Sequence, residues 1–121
     1  MVRRTPIVVA TDAAGAGTAL SPWPVSGLVV EVRLPDAGST LTVGGSADFT
    51  VTRVGDGGTV LAVTSQAAPF EFYPRKTGHT TAGGSVGADA LIPVDDYLQA
   101  VVAQGAASAS GTLYIHTRED R

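Results

Sequence analysis

Apolar and polar residues alternate along most of the chain with a period of two, which is the spacing of a strand with one face buried and one wet. From Val25 on, Leu28, Val30, Val32 and Leu34 fall on one side and Val29, Glu31 and Arg33 on the other. This predicts a half-buried strand, stopped by the turn Pro35-Asp36-Ala37-Gly38. The clearest unit is Ala47 to Thr64, where two β-branched runs flank Gly55-Asp56-Gly57-Gly58. It predicts a β-hairpin whose glycines supply the positive φ of the reversal. Phe70 and Phe72 alternate with Glu71 and Tyr73, and Leu113 and Ile115 with Tyr114 and His116, so two more strands are expected there. The segment Asp89 to Gln104 fits either a strand or a short helix capped by Asp95 or Asp96. The pair Val101-Val102 favours the strand.

Three stretches lack this pattern. Pro74 to Gly87 holds Arg75, Lys76 and His79 among Thr and Gly, and reads as the longest loop of the body. Residues 1–24 read as an N-terminal arm or strand, Thr5 to Thr11, followed by a flexible loop of small residues that ends at Ser21-Pro22-Trp23-Pro24. Residues 118–121 are a charged tail. Between them, residues 25–117 form the body. The expected architecture is all-β: a single-domain antiparallel β-sandwich or jelly roll of about seven or eight short strands with an extended N-terminal arm.

Composition narrows what this body does. At 121 residues there is room for one domain. Charged residues make up only 16% against about a quarter in ordinary domains, while 44% are apolar, so the chain buries much of itself. A net charge of -3 offers no basic surface for a phosphate backbone, and nucleic acid is not an expected partner. No apolar run approaches the roughly 20 residues of a membrane span, and none after Arg3-Arg4 is long enough for a secretion signal. The absence of Cys removes disulfides, thiolate metal sites and thiol nucleophiles together.

The residues that could carry chemistry do not assemble into a reaction centre. His79 and His116 are the only histidines, too few for a zinc site without distant carboxylates. Asp95 and Asp96 are adjacent and point to opposite sides of an extended chain. Asp56 reads as turn chemistry, and Gly83-Gly84-Ser85-Val86-Gly87 matches neither a P-loop nor a dinucleotide fingerprint. No Gly-x-Ser-x-Gly elbow accompanies the Ser, His and Asp present. No catalytic residue, cofactor site or metal site is expected. Trp23, between two prolines, either packs over the end of the sandwich or anchors a partner.

The words Ala47-Asp48-Phe49-Thr50-Val51-Thr52, then Tyr73-Pro74-Arg75 with His79-Thr80-Thr81-Ala82-Gly83, then Val101-Val102-Ala103-Gln104-Gly105 leading to Gly111-Thr112, occur in this order within Val25 to Thr117. In that order and spacing the chain resembles a family of small virion proteins of tailed bacteriophages encoded near the capsid genes. It departs from the family at Thr80, where an acidic residue is more usual, and at Asp95 to Gln99, where a plainer basic strand is usual. The resemblance implies a non-enzymatic structural role without cofactor, as a decoration or cement protein on the outside of the phage head, made in the host cytoplasm. Its partners would be the major capsid protein and copies of itself, as dimer or trimer. It further implies that Tyr73, Pro74, Arg75, His79 and Thr81 shape a loop or touch a neighbour. With the apolar arm residues Ile7, Val8 and Val9 and with Trp23, these make up the expected partner contacts. Two alternatives stay open: a head-tail connector or tail ring subunit, and a carbohydrate-binding module using Trp23 and Tyr114.

Overall fold

Branched and aromatic side chains on alternate positions favour extended backbone, and extended backbone needs a neighbour for its N–H and C=O groups. The computed structural model describes residues 2–43, 45–79 and 85–119, with only the backbone for residues 76–79 and 85–90. Ten strands lie among the described residues: β1 (Val2–Ala10), β2 (Gly17–Leu20), β3 (Val25–Leu34), β4 (Ala47–Arg53), β5 (Thr59–Gln66), β6 (Phe70–Phe72), β7 (Arg75–His79), β8 (Ser85–Asp96), β9 (Leu98–Ala103) and β10 (Ser110–Arg118). All their pairings are antiparallel. One sheet has the order β1-β10-β3-β8-β7, with β6 also on β3; the other has the order β2-β9-β4-β5. The fold is an all-β single domain, a sandwich of these two sheets, as the alternation predicts.

The core lies between the sheets. Ile7, Val9, Val32, Leu113 and Ile115 of the first sheet and Phe49, Val51, Leu98, Ala100 and Val102 of the second are all fully buried. Each of the larger side chains stabilises the fold by roughly 1.5–3 kcal/mol relative to exposure. Phe49 meets Phe70 edge-on at 4.9 Å between ring centres, which ties β4 to the short β6 across the core.

Strand β3 departs from the expected alternation. Glu31 pairs with His116 and Val29 with Thr117, so Val30 is an extra residue in a β-bulge. The bulge switches faces. Val25 and Val29 point inward before it and Val32 and Leu34 after it, while Leu28 and Val30 are only half-buried. A strict period of two had placed Leu28 and Val30 inside and Val29 outside.

Residues 2–24 hold more regular structure than a small-residue composition suggests. Nine consecutive residues of β1 pair with β10, from Val2↔Arg118 to Ala10↔Ser110. After it, the Asp12 carboxylate accepts the main-chain N–H groups of Ala14 (2.8 Å) and Ala16 (3.1 Å), so a side chain organises the turn that was expected to be flexible. Gly15, at φ +80°, lies against the Gly105 carbonyl, which a Cβ would strike. Beyond this turn β2 pairs with β9.

In the stretch from Pro74 to Gly87, expected as a loop, the described residues 75–79 and 85–87 are strand instead, and residues 80–84 lie outside the described residues. β7 pairs with the first half of β8, from Arg75↔Leu91 to His79↔Ser85, while the second half of β8 pairs with β3. Main-chain pairing rather than apolar side chains makes these strands, so composition concealed them. Within Asp89 to Gln104, the residues up to Asp96 lie in β8 and Leu98–Ala103 form β9, in line with the β-branched residues there.

Candidate interaction surface

The outer face of the six-stranded sheet gathers the ionisable and aromatic side chains. In β3 the residues that face away from the core after the bulge are Glu31 and Arg33; in β10 they are Tyr114 and His116, and in β6 it is Glu71. The register sets them side by side, since Glu31 lies opposite His116, and Arg33 lies between Tyr114 on one side and Glu71 on the other. Arg4 of β1 lies opposite His116. Two rows of polar side chains thus cross four strands.

From His116 to Tyr73 the contacts run continuously, and Arg4 and Tyr114 form a separate pair beside them. His116 Nδ1 lies 2.6 Å from Glu31 Oε1. Arg33 Nη2 donates to Glu71 Oε2 at 2.9 Å and to Glu31 Oε2 at 3.4 Å, and the Tyr73 hydroxyl donates to Glu71 Oε2 at 3.3 Å. The Arg4 guanidinium stands over the Tyr114 ring, 4.7 Å from its centre. Glu31 and His116 are largely covered, at 10% and 18% side-chain exposure, whereas Arg33 and Glu71 remain about half exposed. The group is therefore anchored at its inner end and open to a partner at its outer end.

The charges shift one another. The Glu71 carboxyl is held below the usual carboxylate range by its neighbour Glu31 and then by the Arg33 guanidinium. The Arg33 guanidinium is held more firmly protonated, first by its hydrogen bond to Glu71 and then by the Glu31 charge. The negative charge of Glu71 pushes the Tyr73 phenol up. All three stay in the forms that bond one another near neutral pH.

A cleft of about 550 Å³ opens at the end of this face, with Leu34 and Phe70 beneath it and Arg33, Asp36, Pro69 and Glu71 around it. Its volume falls in the range that holds a small molecule or an inserted side chain. Among the described residues no cluster of three His, Asp or Glu is placed to hold a metal.

The contact residues expected from the sequence fall in different places. Ile7 and Val9 are fully buried inside the chain's own sandwich and are not free to touch a partner; Val8, between them, is exposed. Alternation explains the split, since consecutive residues of a strand face opposite sides. Trp23 is 42% exposed, and its carbonyl accepts the Ser21 hydroxyl, which in turn accepts the main-chain N–H of Leu98. Tyr73 is exposed beside Glu71. Arg75 donates to the carbonyls of Pro74 (2.8 Å) and Val30 (3.3 Å), so it holds its own chain at the β3 bulge. His79 ends β7, its side chain lying outside the described residues, as does Thr81 entirely.

Asp56 accepts from the main-chain N–H of Gly58 and from Arg53, as a turn residue. Asp96 accepts from Gly55 and Tyr97 main-chain N–H groups, while Asp95 is exposed. The Glu31, Arg33, Glu71, Tyr114 and His116 group was not foreseen as a unit. Its outward positions were readable from alternation, but its assembly depends on β3 lying between β10 and β6. No protein-family model, no curated protein and no solved structure matches this chain.

Proposed function

We propose that the chain is a non-enzymatic structural protein that binds protein neighbours through the outer face of its six-stranded sheet. The observation that supports this most is the cross-strand row of Arg4, Tyr114, His116, Glu31, Arg33, Glu71 and Tyr73 beside an open cleft. Arg and Tyr offer large contact area and directional bonds at low entropic cost, and both are enriched where protein interfaces gain most of their affinity. The held geometry matters as well. Side chains already fixed by hydrogen bonds lose little freedom when a partner docks on them.

The setting we assign is the outside of a tailed-phage head, as a decoration or cement protein whose partner is the major capsid protein. That assignment rests on the resemblance carried by the hairpin, by Tyr73-Pro74-Arg75 and by Val101 to Thr112. A small, weakly charged sandwich with a charged outer face suits a subunit added in many copies to a finished shell. The test is co-sedimentation of the purified protein with phage heads that lack it. Saturable binding in many copies per head supports the reading. A closed ring in solution that does not bind head walls would move the protein to the head-tail axis and overturn it.

A further inference from the structure

Edge strands expose unpaired N–H and C=O groups, and proteins usually blunt them with charge, proline, shortness or cover. Among the described residues five strands have a free edge, and four of them carry such a device; β6, which pairs only with β3, is three residues long and carries Glu71. β1 contains Arg3, Arg4 and Pro6, and a proline is tolerated in a sheet where its missing N–H faces away from the ladder. β2 is four residues long, and its Gly17 lies against the Ala10 carbonyl at the end of β1. β7 begins with Arg75-Lys76.

β5 has none of these, and its only protection is a bulge near each end. Its eight residues, Thr59-Val60-Leu61-Ala62-Val63-Thr64-Ser65-Gln66, include no charge and no proline. Among the described residues β4 is the only strand it pairs with. Two register shifts against β4, near Val60 and near Thr64-Ser65, leave Leu61-Ala62-Val63 as the regular stretch. In it Leu61 and Val63 face the core and Ala62 is exposed.

We infer that β5 is a self-association edge, pairing antiparallel with β5 of a second copy about a two-fold axis through Ala62. The sequence is matched to itself about this point. An axis perpendicular to a sheet keeps each residue on its own face, so a residue on the axis meets its own copy and its neighbours meet in crossed pairs. Leu61 then lies opposite Val63 of the second copy, both on the core side. The match is confined to Leu61-Ala62-Val63, because the register shifts beyond it turn Val60 into the core and leave Thr64 exposed, and Ser65 takes a left-handed φ of +54°. No like charges are brought together. The two four-stranded sheets become one of eight strands, and both free edges are removed at once. The inference stands on this edge alone and does not depend on what the outer face of the other sheet binds.

The test uses the full chain, measured by sedimentation equilibrium over a concentration series. The wild type forms a dimer, and Ala62→Lys, which sets two ammonium groups against each other on the axis, weakens dimerisation by at least about tenfold. Ala62 is exposed, so the variant keeps its circular dichroism and, at concentrations where the wild type is monomeric, its unfolding midpoint. Because the chain has no cysteine, Ala62→Cys gives a covalent dimer on mild oxidation. Thr64→Cys does not, its copies lying on the order of 13 Å apart in this register. A wild type that stays monomeric, a dimer indifferent to Ala62→Lys, or cross-linking at position 64 rather than 62 overturns the inference. Binding to phage heads by a monomeric wild type would leave the proposed function standing while this inference fails.

Discussion

The two outer faces of the sandwich are built from different materials. On the six-stranded sheet, His116, Glu31, Arg33 and Glu71 bond one another across three strands, and Arg4 stands over Tyr114 beside them. On the four-stranded sheet, the outward residues include Thr18 and Leu20 of β2, Val101 and Gln99 of β9, and Asp48, Thr50 and Thr52 of β4, with Ala62 on β5. Asp48 is the one charge in this set, and its carboxylate accepts the main-chain N–H of Ser65 at 3.0 Å rather than joining a row of ion pairs. Both faces are made by the same alternation against one core, so the core does not account for the difference. A charged group on a half-buried face costs desolvation that only well-placed partners offset, and the first face supplies such partners while the second largely avoids the cost. This contrast is why the first face is assigned to binding and the second to plain solvent cover with a free edge.

The contrast can be broken most strongly at Glu31. Glu31→Ala leaves His116 and Arg33 without their shared acceptor in a largely covered site, and a loss of about 2 kcal/mol in urea unfolding is expected. A loss no larger than for an exposed position would mean that the row is incidental. The inner side of the same sheet offers a gain. Thr5 is fully buried and its Oγ1 has no hydrogen-bond partner among the described residues. Thr5→Val keeps the shape and removes the orphaned hydroxyl, so a stabilisation of about 1 kcal/mol is expected in the same assay.

Acid separates the faces more gently. Glu71 is depressed below 4.5 by Glu31 and then Arg33, so its contribution is complete above pH 4.5 and is lost as pH falls through the lower folded value. Asp12 and Asp56, depressed below 3.8 by main-chain N–H groups, act with the same sign lower down. These carboxylates are exposed and screened, so the effect is small. Unfolding midpoints should therefore fall modestly below pH 4.5, and Glu71→Gln should flatten the upper part of that fall; an unchanged slope would remove Glu71 from the coupled row. The smallest effect belongs to the second face. Thr50→Val is expected within about 0.5 kcal/mol of wild type, and a larger loss would show that this face also holds an ordered group.

How far the sequence reveals this molecule follows from which interactions are local. The hairpin β4–β5 was legible because β-branched runs and a Gly-Asp-Gly-Gly reversal act within twenty residues. The inward Leu113 and Ile115 and outward Tyr114 and His116 were legible for the same reason. The inversion of β3 was not, because a bulge at Val30 is set by pairing with β10 and by the Arg75 guanidinium, which lies 45 residues away. Nor was the regular structure of residues 2–24, since Gly15 packs on Gly105 and β1 pairs with the last strand. The candidate surface shares this limit. Each of its side chains could be placed outward from the sequence, yet their meeting required the order β1-β10-β3-β6.

We assign partner binding to the charged face of the six-stranded sheet and not to the face of the four-stranded one. The most direct test is occupancy on phage heads lacking the protein, compared between Arg4→Ala/Tyr73→Ala and Thr18→Ala/Thr50→Ala, four exposed or half-exposed positions. The account predicts that the first double variant loses occupancy while folding normally and that the second binds as the wild type does. Full occupancy by the first with loss by the second would contradict it.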